Sequence, residues 1–261
     1  MRALDIAASG MLAQQLNVDV ISHNIANMNT TAYKRQRADF EDMLYQNLER
    51  PGATSAASGA ILPYGIQLGV GVHADAVARI NEQGGLSATS NPYDLAINGN
   101  GFLQVQLPSG QTAYTRAGNL AVNAEGTMVT ADGYPIEPSI TVPAEATAVQ
   151  ITRDGIVEVQ LAGQTDPQQV GQLELAAFIN PAGLEAIGDN LFLETPASGS
   201  PNVGTPGSPG IGTLMQGYLE ISNVDAVEEI SSLIVAQRAY EMNARVITAA
   251  DEMLQATTQL R

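Results

Sequence analysis

The sequence predicts an α+β fold, mainly β with terminal helices. Long N- and C-terminal α-helices form a coiled-coil-like pair, with an inserted connector and β domain between them. Three observations predict it. The last stretch, from about Asn223 to Arg261, carries Ala226, Ile230, Leu233, Gln237, Tyr240, Ala244, Ile247, Asp251 and Leu254 at spacings that alternate between four and three. That is the period of a helix packing lengthwise on another helix. The first stretch repeats the alternation in Leu4, Ala8, Met11, Gln15, Val18, Ser22 and Ile25. Between the two, short alternating segments are separated by Asp-Gly and Glu-Gly pairs, with no helical pattern intervening. Such a series reads as a compact β domain.

No Pro or Gly interrupts the C-terminal stretch. Asn223 or Asp225 suits its N-cap, and Glu228 and Glu229 fall in the first turn, where the helix dipole favours negative charge. At about 1.5 Å per residue it would run roughly 55 Å and needs a partner of similar length. Arg2 to about Asn27 is the partner on offer, with Leu12 and Leu16 widening its apolar stripe. Gln15, Ser22, Gln237 and Asp251 interrupt the two seams, as residues that fix register or face further chains do. The seams leave open whether the partners belong to one chain or to many.

After the first helix, Asn24, Asn27 and Asn29 followed by Thr30-Thr31 mark a helix end and a turn. Lys34, Arg35 and Arg37 form a small basic patch, with Asp39, Glu41 and Asp42 expected to pair with it at helical spacing. Tyr45 to about Ile66 has no period and much Gly, Ser and Ala, and reads as a flexible loop. Gln67 to Ala74 alternates with period two. Leu95 to Ile97 and Gly101 to Leu107 are apolar runs bounded by Gly, Asn and Pro, and further strands are expected near 120–123, 127–130, 148–152, 156–161, 172–179 and 190–194. Pro196 to Gly212 reads as a returning loop.

Acidic residues number 27 against 11 basic, a net charge of −16, and residues 46–222 hold 16 of the acidic and 4 of the basic ones. Nucleic acid is thereby excluded as a partner, since binding it needs basic density. There is no Cys, so no disulfide and no thiolate metal or redox site. His23 and His73 lack ligand spacing and read as structural or surface residues, so no metal site is expected. Asn98-Gly99-Asn100-Gly101 lacks the Lys-Ser/Thr of a phosphate loop and reads as a tight turn. No nucleophile elbow or His pair is present, and scattered carboxylates make a poor case for glycoside chemistry. No apolar run reaches the roughly 18–20 residues that span a bilayer, so direct membrane insertion is not expected, nor is a cleavable secretory signal.

Three blocks carry a family resemblance. Ser9-Gly10-Met11 and Ile21-Ser22-His23-Asn24-Ile25-Ala26-Asn27, with Asn29-Thr30-Thr31-Ala32-Tyr33-Lys34, form the first. Asp94 to Phe102, Tyr114-Thr115-Arg116-Ala117-Gly118-Asn119 and Asp132-Gly133-Tyr134-Pro135-Ile136 form the second. Gln216-Gly217-Tyr218-Leu219-Glu220, Ser222-Asn223-Val224-Asp225 and Ala236 to Asn243 form the third. Together they resemble the bacterial flagellar rod and hook axial proteins, end to end and in order. One departure is Ala32, where many members carry Gly, and a milder turn is expected there. The length, and an insertion over about Tyr45 to Ile66, resemble the distal-rod members rather than hook subunits.

The resemblance implies a non-enzymatic structural subunit without cofactors. It would polymerise into a rigid hollow tube that crosses the periplasm, transmits torque from motor to hook, and forms part of the export channel. Export would follow the flagellar type III route. The implied partners are copies of itself, proximal rod proteins, the hook protein, and the surrounding periplasmic and outer-membrane ring proteins. The expected divisions are 1–45, 46–66 (insertion), 67–97 (connector), 98–195 (β domain), 196–222 (return loop) and 223–261. The residues expected to carry subunit assembly are Leu4, Met11, Val18, Ile25, Ile230, Leu233, Tyr240, Ile247 and Leu254. Competing readings are a sister axial protein (proximal rod or hook), a monomeric secreted binding module, and a cell-wall hydrolase.

Overall fold

A computed structural model describes residues 2–49, 65–163 and 166–259. The chain is shared between two compact units. Unit 1 takes Met1–Ala26, Gln36–Ala78 and Asp225–Arg261, and unit 2 takes Asn27–Arg35 and Arg79–Val224.

Unit 1 holds both helices, α1 (Arg2–Ala26) and α2 (Ala226–Gln259), which lie against each other. Asp225 is the N-cap of α2: its Oδ1 accepts hydrogen bonds from the amides of Val227 (2.8 Å) and Glu228 (3.3 Å). The unit also holds β1 (Gln36–Asp42), β2 (Tyr45–Glu49), β3 (Ile66–Gly69) and most of β4 (Val72–Arg79). β1 pairs with β4, and β2 pairs with β3 antiparallel, Tyr45 opposite Gly69 and Gln46 opposite Leu68.

Residues 36–42 are a strand, so their charges pair at a spacing of two: Arg37 Nε meets Asp39 Oδ1 at 2.9 Å on one strand face. The expected insertion loop begins and ends as paired strands, while its central residues 50–64 lie outside the described ones. The alternating run expected over 67–74 divides at Gly71, whose φ is +143°. A Cβ there would collide with Ser9 Oγ, which accepts a hydrogen bond from the Val72 amide at 3.3 Å.

Unit 2 is built of short strands. In order they are β5 (Leu86–Ala88), β6 (Leu95–Asn98), β7 (Phe102–Gln106), β8 (Thr112–Thr115), β9 (Ala121–Val122), β10 (Met128–Val129) and β11 (Ile136–Glu137). There follow β12 (Ala146–Ile151), β13 (Ile156–Leu161), β14 (Gln168–Gln172), β15 (Leu175–Ala177), β16 (Glu185–Gly188) and β17 (Leu191–Leu193). Last come β18 (Asn202–Gly204), β19 (Thr213–Gln216) and β20 (Tyr218–Glu220). The largest sheet runs β16-β17-β8-β7-β15-β18, with β11 also on β7, and β12-β13-β14 form a second. The turns before β10 and β13 use Gly126 and Gly155 at φ +83° and +80°, as the Glu-Gly and Asp-Gly pairs predicted.

Apolar alternation explains the core: Leu95, Ile97, Leu103, Met128, Ile136, Val157, Leu173, Leu175 and Leu214 are fully buried. Beside them Phe102, Tyr114 and Phe178 pack edge to face, with centroids 4.8 Å apart for Tyr114–Phe178 and 5.9 Å for Phe102–Phe178. The milder turn expected at Ala32 is not found. Its φ is 56°, the left-handed region, because its buried amide turns to donate to Glu220 O at 2.8 Å.

Candidate assembly site

In unit 1 the most buried positions of α1 are Ala7, Ala13, Val20, Ile21 and Asn24, and those of α2 include Glu229, Ala236 and Ala250. This row lies mostly one position before the one the large apolar residues suggested. Ala7, Ala13, Ala236 and Ala250 are small, and Ala and Gly allow close approach of two backbones. At Gly10 a Cβ would already stand 2.9 Å from Asn243 Nδ2.

The expected assembly residues therefore sit beside the buried row. Leu4, Met11, Val18, Ile25, Leu233, Ile247 and Leu254 are half-buried, and Ile230 and Tyr240 are exposed. Val18 and Tyr240 meet in one groove of about 450 Å³, which Gln15, Gln237 and Glu241 also line. Beyond the groove α2 presents further uncovered apolar side chains, with Val227 78% and Val235 65% exposed and Met242, Val246 and Met253 following.

One buried polar lock ties three segments of unit 1. Asn24 is 1% exposed. Its Nδ2 donates to Gln36 O (2.8 Å) and to Glu229 Oε2 (3.3 Å), and its Oδ1 accepts from the Gln36 amide (2.9 Å). The end of α1, the start of β1 and the first turn of α2 are fixed together. The sequence reading gave Asn24 only a helix-ending role.

Unit 2 contains a second lock, which the sequence reading missed. The carboxylate of Glu220 is fully buried and accepts from Lys34 Nζ (2.5 Å), Arg116 Nε (2.5 Å) and the Gly84 amide (2.9 Å). Lys34, the only lysine in the chain, also donates to Glu82 O at 2.7 Å. Arg116 spends its remaining nitrogens on the carbonyls of Gly101 (3.0 Å), Gly99 (2.7 Å) and Ile97 (3.3 Å). Burial pushes the Lys34 ammonium below its ordinary value, while the hydrogen bond and charge of Glu220 pull it back up and the Arg116 charge pushes it down. The three residues come from the three motif blocks, so a charge shared among those blocks was the signal available. Gly118 is required nearby: its carbonyl accepts a 2.9 Å hydrogen bond from the Leu95 amide, and a Cβ would collide with Leu95 O. Among the described residues no helix is long and apolar enough to cross a membrane.

Three family models match the chain in order. A flagella basal body rod protein model covers residues 4–34, a flagellar hook protein FlgE/F/G D1 domain model covers 96–159, and a flagellar basal body rod FlgEFG protein C-terminal model covers 215–260. Flagellar basal-body rod protein FlgG of Caulobacter vibrioides is 60% identical over 261 residues, covering 100% of both chains. That of Agrobacterium fabrum is 53% identical over 253 residues, covering 97% of each. That of Borreliella burgdorferi is 47% identical over 263 residues, covering 100% of this chain and 99% of the other.

Proposed function

This chain belongs to the FlgG family of flagellar basal-body rod proteins, structural subunits of the distal rod and not enzymes, and from that we propose that its copies stack through their helix pairs into a rigid hollow tube. The observation that carries this reading is the groove between α1 and α2. The exposed Val235, Met242, Val246 and Met253 stand on the opposite flank of α2, while Val18, half-buried, and Tyr240, 44% exposed, line the groove itself. Covering each half-exposed aliphatic side chain is worth about 1 kcal/mol, so a neighbouring helix seated along this face would be held by many small contributions. Head-to-tail contacts of this kind that do not close generate a helical filament. Leu4, Met11, Val18, Ile25, Ile230, Leu233, Tyr240, Ile247 and Leu254 are the residues assigned to these contacts, and a coiled-coil-like arrangement is the packing they favour.

On the same reading the tube transmits torque from motor to hook and forms part of the export channel. Its chain arrives by the flagellar type III route. Proximal rod proteins and the hook protein adjoin it end to end, and the periplasmic and outer-membrane rings surround it. The test is Ile230→Asp, at a position 49% exposed and so dispensable to the monomer's own packing. The variant is expected to keep the wild-type circular dichroism, to remain monomeric in sedimentation at concentrations where the wild type associates, and to fail to restore motility to a strain lacking this protein. Normal association and motility would refute the assigned face.

A further inference from the structure

We propose that Glu41, His73 and Asp75 form a binding site for a divalent transition-metal ion of the zinc class, clipping β1 to β4. Their candidate ligand atoms all lie within 4.8 Å of one another. Sequence spacing hides the set, because Glu41 is on β1 and the other two are on β4. The fold assembles it. β1 and β4 are paired, and the Met43 amide donates to Gly71 O at 2.8 Å. Two residues back from Met43 is Glu41, and two residues on from Gly71 is His73. Asp75 follows on the same face of β4, since side chains two apart on a strand point the same way.

The donor set argues for the class of ion. Two carboxylates and a neutral imidazole bring a charge of −2, which a divalent cation cancels. An imidazole nitrogen favours zinc-like ions, whereas magnesium and calcium take oxygen ligands. Three protein ligands leave a coordination position for water. All three side chains are exposed, so they are free to rotate inward from their present spacing to the roughly 3.3 Å between ligand atoms that tetrahedral zinc–nitrogen and zinc–oxygen bonds of about 2.0–2.2 Å set. The strand backbone holds their roots in place meanwhile. The consequence is local. β1 and β4 form a two-stranded ribbon, a structure of marginal stability by itself, and an ion bridging it would bind the folded form selectively.

The test is isothermal titration of the untagged full chain with zinc chloride. One ion per chain is expected, with affinity reduced at least roughly tenfold in both His73→Ala and Glu41→Gln and unchanged in His23→Ala. Zinc should raise the melting temperature of the wild type and not that of His73→Ala. Equimolar magnesium chloride should not compete. Because the three side chains are exposed, the substitutions leave the fold intact, which circular dichroism verifies. No saturable zinc binding, binding undiminished in His73→Ala, or equal displacement by magnesium would each overturn the proposal; the last would assign the zinc to the acidic surface at large.

Discussion

Replacing Glu220 by Gln exchanges one carboxylate oxygen for an NH2 group and removes the negative charge with almost no change in volume, yet it should destabilise unit 2 more than any surface change. The carboxylate accepts three hydrogen bonds, two of them from the buried cations Lys34 and Arg116. Gln offers one acceptor oxygen and one amide donor, so at least one cation must face an N–H. Removing one partner of a buried ion pair costs about 3–5 kcal/mol, mainly through the charge left behind. Here two cations are left, so the loss should lie at the upper end, against a typical domain stability of about 5–15 kcal/mol. Urea denaturation followed by tyrosine fluorescence measures it. A second readout is chemical. Lys34 carries the only side-chain amine and is buried, so its reaction with an amine-directed ester reports opening of unit 2, and Glu220→Gln should accelerate it. Arg37→Ala, which breaks an exposed pair with Asp39, serves as the control at about 0–1 kcal/mol. Replacing all three charged residues by apolar ones of similar size should recover much of the loss. If Glu220→Gln costs no more than Arg37→Ala, the buried triad does not hold unit 2 and the reasoning fails.

Asn24→Ala should destabilise unit 1 by about 1–3 kcal/mol, because it takes the partners of the part-buried amide and carbonyl of Gln36 and a donor from the buried Glu229; thermal melting of the helical signal checks it, and a melt unchanged within error would refute the lock. Burial, and then the charges of Glu194 and Glu137, push the Tyr114 phenol above its ordinary 10.0. Its contribution is complete below pH 10 and is lost as pH rises through the folded value, since the unfolded chain gives up a proton that the folded one keeps. Lys34 acts oppositely: its lowered value makes stability rise with pH up to 10.5. Tyr114→Phe should therefore flatten the alkaline fall in stability, and an unchanged pH profile would refute the assignment.

The terminal helices were legible because their apolar spacing repeats over many turns, and the hairpin turns because Glu-Gly and Asp-Gly supply positive backbone angles. The rotation of the buried row was not legible. Leu4, Met11 and Val18 have more surface to hide than Ala7 and Ala13, so size pointed to the row beside the one that α1 and α2 bury within the chain, where Ala7 and Ala13 lie. β1 was missed because Arg37, Ala38, Asp39 and Glu41 carry almost no apolar alternation, and what orders them is pairing with β4 more than thirty residues on. Lys34 read as part of a small basic patch, and Arg116 and Glu220 as members of separate motif blocks. Only the fold brings residues 104 and 186 positions away to Glu220.

The division of the chain sets the order in which the molecule can be completed. Unit 1 draws on three segments, and the last of them is the final stretch of sequence. Contacts across such a separation are slow to form and cost loop-closure entropy before they return anything. Until α2 exists, α1 has no surface on which to lay Ala7, Ala13 and Val20, and Asn24 lacks the Glu229 carboxylate. A chain threaded N-terminus first through a narrow conduit would thus stay unfinished in unit 1 until α2 had come through, and the finished unit would certify that α2 had been delivered.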